Sequence, residues 1–539
     1  MSIQGLRRAS ALLVTVGMSV SVALGQSTAP GEPNAGQSSA VQQPPATKTA
    51  PSRQAAPGTQ SSKQKIQSAK PETHITPEQA KELFASVDTI LQFASEDTGL
   101  PVLHKVKRRL TTRAEVMKYL DNKMKNGKGA RRMERSEIVL KKFGLLQEDF
   151  RLEPFLLSLL KEQIAGYYDS KTKTVNLLDW VAPDEQKPIL AHELTHALQD
   201  QRVNLTKWDH QSSDALSKNV VEDNHHIATD EMDTARDAVL EGQAMVTFVD
   251  YALKPYGRSV LTNPEGVKRL ADAQGSSGGS PVLSRAPLVL RQSLLFPYQD
   301  GLKFEVDVLV DQGKKAAFAG VLDHPPASSY EVMNPRAYEN HVKVPVLTMP
   351  DVHGLLDKKY NPYDVGVMGE LDVKMLSEVY GGPRIAAQLA PEWNGGIYYV
   401  AQKKSAPDKD STASTGLLYL SQWKTPEAAQ AFARMYAGEL GKQYSHVVED
   451  TKAEAGPNEL IYNSNEGPMV ISTQGRLVFV SESFPLPLAR KLGFLMVGAQ
   501  AGADGGIVTA GMRPARSLTG GLVDFVQSCG MMRAALHLY

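Results

Sequence analysis

The chain is expected to fold as an α+β protein. Three observations lead there. Apolar residues recur three and four apart through much of the first half; two β-prone runs flank a polar turn at 167–177; and after about residue 370 short apolar runs alternate with helical segments. At 539 residues the chain is too long for one hydrophobic core, so two or three folded units are expected. A hydrophobic content of 42% with 22% charged residues is that of a soluble globular protein. The formal net charge of zero gives no support for a nucleic-acid partner, which would favour a basic face.

The N-terminus reads as a secretory signal peptide over residues 1–25. Arg7 and Arg8 precede an apolar run from Ala9 to Leu24, and Ala23-Leu24-Gly25 supplies small residues for cleavage before Gln26. The alternative is a membrane anchor, but the run is short and broken by Ser and Gly. No cysteine lies beside the cleavage site, and no later uncharged stretch reaches about 18 apolar residues. The mature chain is therefore expected to be exported, periplasmic or extracellular, without stable membrane insertion. The lone Cys529 cannot form an internal disulfide or a multi-thiolate metal site.

Residues 26–75 are rich in Pro, Ser and Gln and poor in bulky apolar side chains, the composition of a disordered tether. Order is expected from Thr76, which can cap a helix with Pro77 at its first position. Residues 76–165 read as a helical N-terminal region. Leu83, Phe84, Val87, Ile90 and Leu91 share one helical face, a basic segment runs from His104 to Arg109, and Phe155–Ile164 is a further helix ended by Gly166. Tyr167–Leu177 reads as a β-hairpin, followed by helices over about 185–202 and 229–253, a Gly/Ser-rich loop at 273–280 and helical segments over 284–318. An α+β module is expected over 370–500, with strands at Gly396–Gln402, Leu417–Gln422, Glu459–Tyr462, Met469–Ser472 and Leu477–Glu482. Its helices start near Thr425 and Leu486. Residues 501–539 are a Gly-rich tail whose composition defines no fold.

The chemistry centres on His192-Glu193-Leu194-Thr195-His196. Histidines four apart on a helix lie on one face, one turn apart, so both imidazoles can reach one zinc ion. Glu193 sits beside His192 and can act as general base toward a water whose pKa zinc lowers to about 7. With 12 histidines in the chain, this pattern arises by chance about once in a hundred such sequences. The alternative is a core helix whose histidines are merely satisfied. Ile189, Leu190, Leu194 and Leu198 mark the helix as buried, and burying two histidines with a glutamate costs several kcal/mol unless they bind something.

A catalytic zinc needs a third protein ligand. Glu241 is the best candidate, because Ala238–Val246 is apolar on nearly every side and a lone carboxylate there needs a partner. An ion-paired or surface glutamate is the alternative. Gly242 lets another backbone approach. Asp237, one turn earlier, can orient a histidine or be a solvated charge. His225 and His226, in the polar run Glu222–His226, compete as third ligand.

His-Glu-x-x-His on one helix with a glutamate on a later helix resembles the gluzincin metallopeptidases. The closer context is Gly166-Tyr167-Tyr168-Asp169, then His192 to Gln201, Leu240-Glu241-Gly242 and Pro297-Tyr298-Gln299-Asp300-Gly301. It is similar to a group of poorly characterised bacterial proteins predicted to be exported zinc peptidases. The resemblance covers about 77–350. It implies zinc held by His192, His196 and Glu241, with Glu193 as general base, in a zincin-like, mostly helical core over 166–350. It also implies a strand before the motif helix that lines the cleft, a role Tyr167–Leu177 is positioned to take, and an oxyanion-stabilising Tyr or His. Tyr298, Tyr330 and His324 are the candidates for the latter. The interval from His192 to Glu241 is longer than in thermolysin-like enzymes and lacks their Asn-Glu signature. The expected function is a zinc-dependent endopeptidase acting on a peptide or protein substrate. The rival is a non-catalytic zincin-fold envelope binding or assembly protein, which has no need of an intact Glu193.

Overall fold

The computed structural model describes residues 74–118, 128–164, 166–208, 219–274 and 281–500. The expected signal peptide, nearly all of the expected tether, most of the expected 273–280 loop, and the C-terminal segment with Cys529 lie outside the described residues. What is described is a mixed α+β structure, as expected. Among the described residues no helix is long and apolar enough to cross a membrane.

Helix α1 (Pro77–Thr98) starts where its cap signals place it. Thr76 accepts from the Gln79 backbone while the Gln79 side chain accepts from the Thr76 N–H, and Gly99 closes the helix in the left-handed conformation. Leu83, Val87, Ile90, Leu91 and Ala94 form its buried stripe. Next comes an element the sequence did not signal. Within the region expected to be helical, Lys107–Thr111 is a strand, β1. Its charged residues mask the alternation, because Arg108 reaches back to the Phe84 carbonyl and Asp88 on α1 instead of to solvent. Thr112 and Glu115 then exchange capping hydrogen bonds at the start of a helix. Two further helices follow, α2 (Lys128–Lys142) and α3 (Leu152–Gln163). The latter begins three residues before the expected Phe155, with Pro154 in its first turn.

The expected hairpin is present as β2 (Tyr167–Asp169) and β3 (Thr174–Leu178), paired antiparallel around a turn in which Lys173 has φ 56°. β1 pairs parallel to β3 on its other side, giving the order β1-β3-β2. The N-terminal region is thus woven into the sheet beside the motif. It is also pinned to the motif helix, since the Gln201 side chain accepts from the Leu103 and His104 N–H groups and donates to the His104 carbonyl.

Four helices build the centre: α4 (Pro183–Val203), α5 (Val220–Thr229), α6 (Met232–Leu253) and α7 (Leu288–Gln312). α4 opens on Pro183 with Asp184 and Glu185 in its first turn, favourable to the helix dipole, and ends at Asn204 in the left-handed conformation. Every residue from Ile189 to Asp200 is buried. α6 is also buried nearly all round. α7 lies against α6 at two glycines: a Cβ on Gly242 would overlap the Gly301 carbonyl, and one on Gly301 would overlap the Ala238 carbonyl. The two motif glycines are therefore the crossing point of these helices.

The C-terminal part is a seven-stranded antiparallel sheet, β4-β5-β6-β10-β9-β8-β7. β4 (Tyr360–Val367) precedes the expected start near residue 370. Pro362 and Asp364 interrupt its apolar pattern, and the register shifts between them. β5 (Trp393–Lys403), β6 (Thr415–Trp423), β8 (Glu459–Ser464), β9 (Gly467–Gln474) and β10 (Leu477–Glu482) contain the five expected strands, and β7 (Val448–Glu449) caps the edge. The helices α9 (Pro426–Gly438) and α10 (Leu486–Gln500) start where expected. They cover opposite faces. Leu418 and Leu420 share a core with Leu492 and Met496, whereas Tyr419 packs on Phe432. Between β4 and β5, α8 (Glu370–Gly381) packs against α7.

Acidic groups meet where the start of α6 joins β4 and α8. Asp230 Oδ2 accepts from the Val367 N–H at 2.6 Å, and Glu231 accepts from the Ser329 backbone and hydroxyl. Burial, with the charges of Asp364, Glu231 and Asp372, pushes Asp230 well above the usual carboxyl range. Burial, reinforced by Asp372 and Glu370, pushes Glu231 up to about 8. Burial also takes Glu370 up to about 7 against the opposing charges of Lys424 and Lys374. Carboxyls raised on folding stabilise below their ordinary range, and that stability is lost as pH climbs through the folded values. Thermal stability is therefore expected to fall between about pH 5 and pH 8, and Glu231→Gln should flatten the decline. A melting temperature that rises across this window contradicts the assignment.

Candidate metal centre

The two histidines leave α4 one turn apart and meet Glu241 from α6. His192 Nε2 lies 3.1 Å from Glu241 Oε2, His196 Nε2 lies 3.4 Å from the same oxygen, and the two nitrogens are 3.1 Å apart. All three side chains have no solvent exposure. Among the described residues they form the one group of three His, Cys, Asp or Glu side chains whose ligand atoms converge enough to hold a metal ion. The donor set suits a cation: two imidazole nitrogens and a carboxylate oxygen meet in a fully buried space, where an uncompensated carboxylate is costly.

Glu193 is 1% exposed, and its Oε2 accepts from the Tyr168 backbone N–H at 2.7 Å. Strand β2 thereby fixes the position of the carboxylate. The same tyrosine's hydroxyl donates to Asp200 Oδ2 at 2.7 Å, where Lys173 also binds at 2.6 Å. Burial, then this bond to Asp200, raises the Tyr168 phenol well above its ordinary range. The hairpin and motif helix are thus tied at both ends of one residue.

Tyr298 projects from α7 so that its ring stacks on His192, with centroids 6.4 Å apart and planes 17° off parallel. Of the three oxyanion candidates it is the one the fold brings against a histidine of the converging group. Tyr330 packs on Trp393, while His324 is exposed and its carbonyl accepts from the Tyr338 hydroxyl. Asp237 is fully buried one turn before Glu241, which rules out a solvated charge. His225 and His226 lie on α5, partly exposed and outside the converging group; His226 Nε2 faces Asp230 Oδ1 at 3.8 Å.

Sequence reasoning missed the groups that hold the site. The Tyr168 contribution is a backbone N–H, which leaves no trace in residue type. Gln199 was detectable in principle, since it follows His196 by three residues on a buried helix, and its Oε1 lies 2.8 Å from His196 Nδ1. Comparison with family models, curated proteins and solved structures gives no match for this chain.

Proposed function

We propose that the protein is an exported zinc-dependent endopeptidase with a zincin-like core, in which His192, His196 and Glu241 bind the metal and Glu193 is the general base. The observation that carries this reading is the convergence of the three ligand atoms with Glu193 next to one of them in sequence. Their separations of 3.1 to 3.4 Å agree with the edge of a tetrahedron, about 3.3 Å, for bonds of about 2.0–2.1 Å to zinc. The signal-peptide pattern at residues 1–25 supports export.

Zinc, when bound, polarises a substrate carbonyl and eases deprotonation of water. The protein supplies the rest. The Glu193 carboxylate, positioned by the Tyr168 N–H, takes the proton of the attacking water and can return it to the leaving amine. Tyr298, stacked on His192, is the side chain closest in role to an oxyanion donor.

One observation favours the rival reading of a non-catalytic envelope binding or assembly protein. Ligands and base are 0–1% exposed, so a substrate chain reaches them only if a covering element moves. Activity decides between them. Zinc-loaded protein should cleave an unfolded protein substrate, chelation should stop cleavage, and zinc should restore it. Inertness toward a broad peptide library in the zinc-loaded state favours the rival.

A further inference from the structure

Behind the metal centre lies a hydrogen-bonded path whose direction is fixed by groups that can only accept. The π-helical turn Ala316–Gly320 presents two backbone carbonyls, of Ala317 and Phe318, to Gln243 Nε2 at 2.9 and 3.0 Å. A carbonyl has no hydrogen to give, so the Gln243 amide must face them with its NH2 group and turn its Oε1 the other way. That oxygen lies 3.0 Å from Gln199 Nε2. The Leu240 carbonyl, 3.0 Å from the same nitrogen, independently requires the NH2 group there. Gln199 Oε1 is then the atom facing His196 Nδ1 at 2.8 Å, and only a hydrogen on Nδ1 makes that contact a bond. In a neutral imidazole Nε2 is left with its lone pair, directed toward Glu241 and His192.

From this geometry we infer that Gln199 is a positioning residue: held by Leu240 and Gln243, it locks His196 in the Nδ1–H tautomer and so presents Nε2 as a metal ligand. The inference rests on the metal-site reading above and adds to it the group that prepares one ligand. His196, Gln199 and Gln243 all have no solvent exposure, so no bulk water competes for these bonds. The same amide joins the two ligand-bearing helices, since Leu240 immediately precedes Glu241 on α6. The π turn has a function in this scheme: it supplies the two acceptors that set the direction of the whole path.

The test uses metal-free, full-length protein labelled with 15N-histidine, and long-range 1H–15N correlations assigned by loss of the His196 signals in His196→Gln. Wild type should show His196 in a single tautomer with Nε2 unprotonated. Gln199→Met should abolish that preference and weaken zinc binding by about 10–100-fold. Gln199→Glu, which keeps an oxygen toward Nδ1, should retain the tautomer. A His196 protonated at Nε2 in wild type overturns the inference, as does an unchanged tautomer in Gln199→Met. If Gln199→Met does not fold, the wild-type tautomer still decides, and Gln243→Met gives a second variant with Leu240 as the sole remaining anchor. Tautomer and zinc binding are read separately. A locked His196 in a protein that binds no zinc refutes the metal reading alone, and a zinc-binding protein without the lock refutes this inference alone.

Discussion

Glu193→Gln should reduce peptide hydrolysis by at least about 100-fold while leaving the metal content unchanged. The substitution is close to isosteric, and the amide oxygen of glutamine can accept the Tyr168 N–H bond that the carboxylate now accepts. None of the three proposed ligands is touched, so the fold and the donor set are preserved. What is lost is a basic oxygen beside His192, and with it the ability to take a proton from water. Activity retained in this variant would show that another group serves as base. Equal inertness of wild type and variant would support the binding-protein reading.

The second large effect is structural. Gly301→Ala should destabilise the protein by about 1–3 kcal/mol and weaken metal retention. The methyl group would overlap the Ala238 carbonyl, which is backbone and cannot rotate aside, so α6 and α7 must separate. Their contact sets the positions of Glu241 on one helix and Tyr298 on the other, three residues before Gly301. Gly242→Ala meets the Gly301 carbonyl and should behave alike. Gly354→Ala is the control, because a Cβ there has no heavy atom within 4 Å. Unfolding curves in which Gly301→Ala and Gly354→Ala differ little would contradict the crossing-point account.

These residues also show what was legible in the sequence and what was not. The converging group His192, His196 and Glu241 was legible because its members are costly to bury: two histidines one turn apart and a glutamate within an apolar helix stand out against their neighbours. The hairpin and the five strands beyond residue 390 were legible as apolar runs between turn signals. β1 was not, since its basic residues find partners on α1 that sequence cannot foresee. β4 was hidden by Pro362 and Asp364 at its irregular register. Choosing Tyr298 over Tyr330 and His324 required the helix crossing, and the motif glycines that create it read in sequence only as permissive positions. The support beneath the site was least legible of all. A backbone N–H leaves no mark in residue type, and the roles of the two uncharged glutamines follow only once Leu240, Ala317 and Phe318 point their carbonyls at them.

His192, His196 and Glu241 are proposed as the ligands of one zinc ion. Metal content per chain, measured on purified wild type and on Glu241→Ala side by side, tests this most directly. About one zinc per wild-type chain is expected, with a large loss on removal of the carboxylate. Wild type without bound metal, or full zinc retention in Glu241→Ala, would contradict it.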